Sequence, residues 1–419
     1  MTSMPYGSRV SLRTRRGFTA VAGVIAAALV LSGCSAEAPV EETPAPKDLT
    51  LTVGALVPES GALDKFGPAV SAAIALAAQD VNDANAKLTV NVESADSGDS
   101  TGTTAEDAVT ELLAARATVI IGGLSNGISK KVIDKITEAG VVEISPANDS
   151  PDFSNYGDNN LYWRTSPSCA LEGTALGNEM AERIGEGSIA ILSEDTLCEP
   201  LLPRALSEAF LRGGGELLSQ EMIDESAIDL DEQIDRAIAA KPDAVAIVGS
   251  KRSEKIAKAF IAAGYSGDQL FFTGLSLGER GSGFAAGSLT GSIVTHPGLD
   301  VSTISDFTDR LLEINPSLKD FSYAAESYDA VILASLAALA SQKISGEALS
   351  SKLQEVSGGS GDGEVATTFA DAAKIVLDGR TVDYDGVSGP ITLNDNGDPQ
   401  GAIIGIYQYG SDNVYTRIN

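Results

Sequence analysis

The chain is expected to be an α/β protein built from two parallel-sheet units. Three observations carry that expectation. Strand-like runs alternate with helix-period segments from Leu49 onward, and the runs are apolar throughout, as in strands covered on both faces. About 370 residues follow an N-terminal leader and linker, more than one hydrophobic core usually holds. The strand–helix rhythm then restarts near Arg164, after a complete first round.

The leader, residues 1–33, carries Arg9, Arg13, Arg15 and Arg16 and no acid, followed by an apolar run from Phe18 to Leu31. A positive flank, a short apolar core and small residues at a cut site are the parts of an export signal. The run is shorter than the roughly 20 residues that cross a bilayer comfortably. It closes on Leu31-Ser32-Gly33-Cys34, which resembles a lipobox. Cleavage there would leave Cys34 lipidated and the chain anchored on the outer face of the cell membrane. An uncleaved anchor and an ordinary secretory signal are the alternatives. Thr14-Arg15-Arg16-Gly17-Phe18 resembles a twin-arginine export signal, beside the plainer reading of a basic leader. Residues 34–48, with Pro39, Pro44 and Pro46 and no large aromatic, read as a disordered tether.

The first unit opens with a buried strand, Leu49 to Val57, and a loop from Pro58 to Gly67. A helix then runs to about Asn82, with Val70, Ile74, Ala78 and Val81 at near-helical spacing. Leu88 to Val92 is a second strand and Thr104 to Ala115 a helix. Val119 to Ile121 is a third strand, broken by Gly122-Gly123. A helix from about Ser129 to Ala139 stops at Gly140, and Val141 to Ile144 is the next strand. In the second unit a helical stretch, Leu171 to Arg183, precedes the strands. These are Ile189 to Leu192, Leu217-Leu218 with Met222-Ile223, Ala244 to Val248 and Leu270 to Phe272. Helices at Leu202 to Leu211, Leu230 to Ala240 and Glu254 to Ala263 lie between them. His296-Pro297-Gly298 reads as a linker. Helices around Thr303 to Ile314 and Tyr323 to Ala340 follow. Ser357 to Gly363 reads as a surface loop, and Ile391 to Leu393 with Ala402 to Tyr409 as a hairpin.

The chain has 29 basic and 58 acidic residues, a net charge of −29. Without the four leader arginines the balance is 25 against 58, or −33, which repels nucleic acid and anionic headgroups. If Cys34 carries lipid, Cys169 and Cys198 remain as a pair. One lies before a helix and the other after a strand, where a βαβ unit can bring them together. Export permits a disulfide; two unpaired small hydrophobes are the other reading. There is no GxGxxG after a strand, no GxxxxGK[ST], no CxxC, and a single His at the linker. No cofactor, metal or catalytic constellation is expected.

Several stretches, taken in order, resemble the solute-binding lipoproteins and periplasmic proteins that serve branched-chain-amino-acid-type ABC transporters. They are Gly54-Ala55-Leu56-Val57-Pro58-Glu59-Ser60-Gly61, Ile121-Gly122-Gly123-Leu124-Ser125, Ile144-Ser145-Pro146-Ala147 and Tyr162-Trp163-Arg164-Thr165. Later come Tyr328-Asp329-Ala330 and Tyr384-Asp385-Gly386-Val387-Ser388-Gly389-Pro390. The resemblance covers Leu51 to Tyr409. It implies the type I periplasmic-binding-protein fold, two Rossmann-like lobes joined by a three-strand hinge. Lobe 1 would hold residues 49–165 plus 298–388, and lobe 2 residues 166–297 plus 389–419.

By that resemblance the protein would capture a small polar solute, an amino acid or related compound, and deliver it to ABC permease subunits as a monomer. A ligand-sensing lipoprotein that signals to a membrane receptor is the alternative, and an exported enzyme is disfavoured. Ligands gather outside the carboxyl ends of such sheets, and helix starts there favour anions. The loops at Ser125-Asn126 and at Ala147 to Asp149 would line the cleft, with Phe66 as its flanking aromatic. Asp149 would take an ammonium or hydroxyls, or act only as a turn acid. Tyr323 and Glu326 are further contacts. Two family features are altered. Ser250 stands near the place of a second-lobe aromatic, and Ser276 near that of the ammonium-binding acid. Asp149, Glu59 or Glu279 would then supply the missing charge, or the solute is not a standard aliphatic amino acid. Cys169 stands where the family commonly has an acid, and Cys198 where it has a glycine.

Overall fold

A computed structural model describes residues 47–194, 201–223, 229–249, 252–274, 283–298, 304–401 and 403–419. The leader with Cys34, and Cys198, Ser250, Ser276 and Glu279, lie outside the described residues.

Strands β1 (Leu49–Val57), β2 (Leu88–Asp96), β3 (Val119–Gly122), β4 (Val142–Ser145) and β5 (Tyr162–Arg164) form one parallel sheet in the order β2-β1-β3-β4-β5. β3 and β4 are buried along their whole length, as strands under helices on both faces must be. The connecting helices are α1 (Gly67–Asp83), α2 (Thr104–Ala114) and α3 (Asn126–Glu138). Val70, Ile74, Ala78 and Val81 are all buried, as their spacing on α1 predicts.

After β5 the chain enters a second sheet. β6 (Ser188–Glu194), β7 (Glu216–Ile223), β8 (Ala244–Val248), β9 (Leu270–Phe272) and β10 (Ile293–Pro297) run parallel, with α4 (Cys169–Ile184), α5 (Leu201–Arg212), α6 (Asp231–Ala239) and α7 (Ser253–Ala262) around them. α4 and α5 pack backbone to backbone. A Cβ at Gly173 or Gly177 would stand 2.3 Å from the carbonyl oxygen of Leu202 or Leu206, so only glycine allows this approach.

The chain then returns to the first core as α8 (Ser305–Ile314), α9 (Ala324–Ser341), α10 (Gly346–Val356) and α11 (Phe369–Leu377). α9 is long and apolar enough to cross a membrane, but it is the central helix of this core and nearly all buried. Strands β11 (Glu364–Ala366), β12 (Val382–Gly386) and β13 (Gly389–Pro390) make a small sheet beside it. Finally β14 (Ile404–Tyr409) and β15 (Tyr415–Arg417) complete the second sheet, ordered β15-β14-β10-β9-β8-β6-β7. Ile391 and Leu393 still pack in the first core, so the last passage between sheets ends only at β14.

Two local expectations fail. No hairpin joins 391–393 to β14. β10 and β15 already occupy both edges of β14, and Gly397 O accepts the Arg164 N–H, which ties the turn to β5. Leu393 instead bridges antiparallel to Pro399 across the turn itself, and β14 forms its hairpin with β15. His296 and Pro297 are not a free linker but the end of β10, and the His296 ring meets Tyr407 edge-on at 6.3 Å. The polar run at 357–363 is a loop exposed at 360–362, as expected, anchored at its start by the buried Ser357, whose Oγ accepts the Leu393 N–H. α10 and α11 are additions that the sequence reading left unassigned.

Candidate binding cleft

The first wall is built by the loops that leave β3 and β4. Gly122 has φ 151° and its Cβ would lie 2.0 Å from Leu56 O, so the strand can turn sharply only with glycine there. Three residues on, Ser125 caps α3, its Oγ accepting the Ile128 N–H at 3.2 Å. That hydroxyl serves the helix start, and its residue remains partly exposed.

Asn126 follows and is almost fully buried. Its Nδ2–H donates to Asp149 Oδ1 at 2.7 Å, and its Oδ1 accepts the Ser150 N–H at 3.3 Å. The sequence placed Asn126 and Asp149 in separate loops; the fold joins them directly. Ser145 ties the same loops from below. Its Oγ donates to Gly123 O at 3.1 Å and accepts the N–H groups of Ala147 and Asn148. Ala147 is half-buried against the first core and offers the cleft no polar side-chain atom. Glu59 is exposed, and its N–H is bonded to Asp96 Oδ1.

Phe66 and Tyr323 form an aromatic pair, edge to face at 5.3 Å. Tyr323 caps α9 with φ 64°, a conformation that costs a bulky residue energy and is held by its surroundings. Burial pushes its hydroxyl up to about 12, and the negative charges of Asp149, Glu326 and Asp320 push the same way. Three acids therefore share the field of one phenol.

The opposite wall supplies an acid that the sequence reading did not select. Glu172 lies on the buried stripe of α4 with Cys169, Gly173, Leu176 and Met180. Its Oε1 accepts the Gly274 N–H at 2.7 Å and the Thr295 Oγ–H at 2.9 Å. Burial raises it to about 7, and the negative charge of Asp149 pushes the same way. The first turn of α4 also touches the first wall, where the Cys169 N–H donates to Asp149 O at 3.3 Å. A carboxyl interrupting an otherwise apolar helical stripe was the available signal.

Glu326 lies one turn into α9, at the crossovers. Burial raises it to about 7. With Thr165, Gly298, Ser388 and Pro390 it lines a small, partly open pocket. Thr165 Oγ–H donates to the Glu326 carbonyl at 2.9 Å. The structure thus brings together Phe66 with Tyr323 and Asn126 with Asp149, with Glu326 close to Tyr323. It adds Glu172 and Thr295. Ser250 and Ser276, the expected second-wall contacts, lie outside the described residues. Chemically the arrangement is a set of carboxyls beside aromatic faces, suited to holding a cationic group through charge-assisted hydrogen bonds and ring contact.

Known proteins of this shape are numerous. A putative branched-chain amino acid ABC transporter protein from Rhodospirillum rubrum superposes with a TM-score of 0.66 at 18% identity, over 88% of this chain and 99% of that one. A solute-binding protein of an ABC transporter from Rhodopseudomonas palustris, solved with 3,4-dihydroxybenzoic acid, gives 0.61 at 19% identity, over 88% and 96%. Both share the two-lobed type I periplasmic-binding-protein fold with this chain. In sequence, the chemotactic signal transduction system substrate-binding protein BasB of Halobacterium salinarum is 23% identical over 280 residues. That match spans 65% of each chain, just under two thirds of the relative's length. The periplasmic binding protein family matches residues 50–400, nearly the whole folded chain. The chain belongs to the periplasmic binding protein family, whose members bind solutes without catalysing a reaction.

Proposed function

We propose that the protein captures a small polar solute carrying a protonated amine, an amino acid or related compound, outside the cytoplasm and delivers it to an ABC permease. The observation that carries this reading is that Asp149, held by Asn126 on one wall, accepts the Cys169 N–H through its carbonyl, with the Glu172 acid one turn further along the same helix of the other wall. Acids contributed by both walls favour a cation between them, and binding would draw the walls together. An aromatic acid, such as the one bound by the Rhodopseudomonas palustris relative, would meet these carboxyls with like charge. Phe66 and Tyr323 would flank the solute, with Glu326 beneath it. Ser125 and Ala147 would line the first wall, and Ser250 and Ser276 the second.

The same reading takes Cys34 as a lipid anchor and 34–48 as a tether that keeps a monomeric domain beside its permease. It also takes Cys169, buried at the start of α4, as bridged to Cys198, which would stiffen the second wall. A second role, ligand sensing for a membrane receptor, is favoured by one observation, the chemotactic function in the name of the Halobacterium relative. Deleting a neighbouring permease gene would abolish uptake in the first case and leave the response intact in the second.

A thermal-shift screen of the purified chain tests the solute class. Ligand at about a hundred times its Kd stabilises by about 2.7 kcal/mol, a shift of several degrees. Amine-bearing solutes should produce it. A shift with aromatic carboxylates alone would overturn the proposal.

A further inference from the structure

Arg164 ends β5 and is completely buried. Its planar guanidinium offers donors in a fixed fork, and every one in use here points at the first wall or at the crossover. Nη1–H donates to the Asn148 carbonyl at 3.2 Å and to the Ser150 carbonyl at 2.8 Å. These are the residues on either side of Asp149. Nη2–H donates to Ser154 Oγ at 3.0 Å. Nε–H donates to Asp398 Oδ1 at 2.7 Å, and Asp398 is itself nearly buried. The Arg164 backbone N–H reaches Gly397 O at 3.0 Å, beside that same aspartate. One side chain thus holds three points of the 148–154 loop and one point of the segment that leads into β14.

We infer that Arg164, backed by Asp398, is a positioning residue of the cleft, which aims the Asp149 carboxylate by fixing the residues on both sides of it. The 146–150 stretch has no strand or helix of its own, so its carbonyls need partners from elsewhere. The guanidinium is the partner at two of them, and Asp398 balances its buried charge. A lysine would place one ammonium where the arginine fork reaches both carbonyls and Asp398. Because Asp398 lies on the passage to the second sheet, the clamp also links the solute loop to the crossover. The effect on solute binding rests on the function proposed above; the effect on the loop does not.

Two measurements on the purified chain test this, using Arg164→Lys and the milder Asp398→Asn. The first is amide hydrogen exchange without solute. The clamp predicts exchange at 146–154 faster by at least about fivefold in both variants, with α10 unchanged as internal reference. No change at 146–154, or equal acceleration in α10, would overturn it. The second is a double-mutant cycle with Asp149→Asn, read as affinity for an amine-bearing solute found in the screen. Each single change should weaken binding at least about fivefold, and Arg164→Lys should add less than about twofold once Asp149→Asn is present. Losses that simply multiply would show Arg164 to be structural and sink the positioning role. If the wild-type chain binds no amine-bearing solute, the proposed function falls, and the exchange result still decides the clamp.

Discussion

Two carboxyls three residues apart on α9 face opposite circumstances. Asp329 is fully buried and accepts four hydrogen bonds, from Tyr384 Oη–H, the N–H groups of Val387 and Ser388, and Ser388 Oγ–H. Glu326, one turn earlier, has only its own amide N–H as a partner among the described residues, and it borders a pocket. The first acid spends its acceptor capacity on the chain and pins the crossover after β12 to the central helix. The second keeps capacity in reserve. The same contrast separates Glu172, bonded through one oxygen only among the described residues, from Asp329. Buried acids that are saturated belong to the architecture, and those left part-satisfied beside open space are where a solute can be recognised.

The sharpest test is to empty the saturated site. Asp329→Ala leaves Tyr384, Val387 and Ser388 donors buried without an acceptor, at about 1–3 kcal/mol each before relaxation. A loss of at least about 3 kcal/mol in denaturant unfolding is expected, and one under about 1 kcal/mol would erase the contrast.

Glu172→Gln should do the reverse. It keeps an acceptor for Gly274 and Thr295, so stability should change by less than about 1 kcal/mol. Affinity for an amine-bearing solute should fall about tenfold or more, or 1.4 kcal/mol, by calorimetry. Unchanged affinity would remove Glu172 from the site.

The third test uses pH. Glu172 and Glu326 are both held up to about 7 by burial. Below that value they take up protons and lose the charge that attracts a cation. Affinity should therefore fall as pH drops from about 8 to 6, by up to about tenfold per unit for each group that must ionise. Glu326→Gln should flatten the slope. A flat profile in the wild-type chain would separate these acids from binding.

The last test concerns a buried acid that could break the comparison. Glu143, in β4, accepts Ser129 Oγ–H at 2.7 Å, but its Oε2 has no partner among the described residues. It is fully buried beneath α3 and is not among the residues lining the pocket at Glu326, so incomplete satisfaction alone does not mark a site. Burial holds it up to about 8, against an ordinary value of 4.5. Its contribution to stability is therefore full below about pH 4.5 and is lost as pH rises through about 8. Glu143→Gln should reduce the fall in Tm over that range without changing solute affinity. A change in affinity would mean that this acid, too, communicates with the cleft.

Much of this was readable along the chain, for reasons that can be named. Apolar runs such as Val119 to Ile121 and Ala244 to Val248 show burial on both faces without any partner being known. Gly122-Gly123 followed by Ser125 announces a strand end and a helix start, and the first wall forms there. Glu172 was missed because an acid in a first helical turn is usually read as a favourable partner for the helix dipole. Only its place on the buried stripe spoke for more. The hairpin at 391–409 was misread because turn residues and apolar flanks do not reveal that β10 and β15 claim both edges of β14.

By itself the sequence determined the alternation of strands and helices, the two sheets, the family and the loops where a solute would sit. All of these follow from patterns within a few turns or strands. Tertiary structure alone decided which charges meet. Asn126 reaches Asp149, Glu172 reaches Thr295 and Arg164 reaches Asp398 across separations of 23, 123 and 234 residues. No local periodicity encodes those pairs: the first two form only when helices and loops of one sheet unit pack together, and the third only when the last crossover brings Asp398 back beside β5.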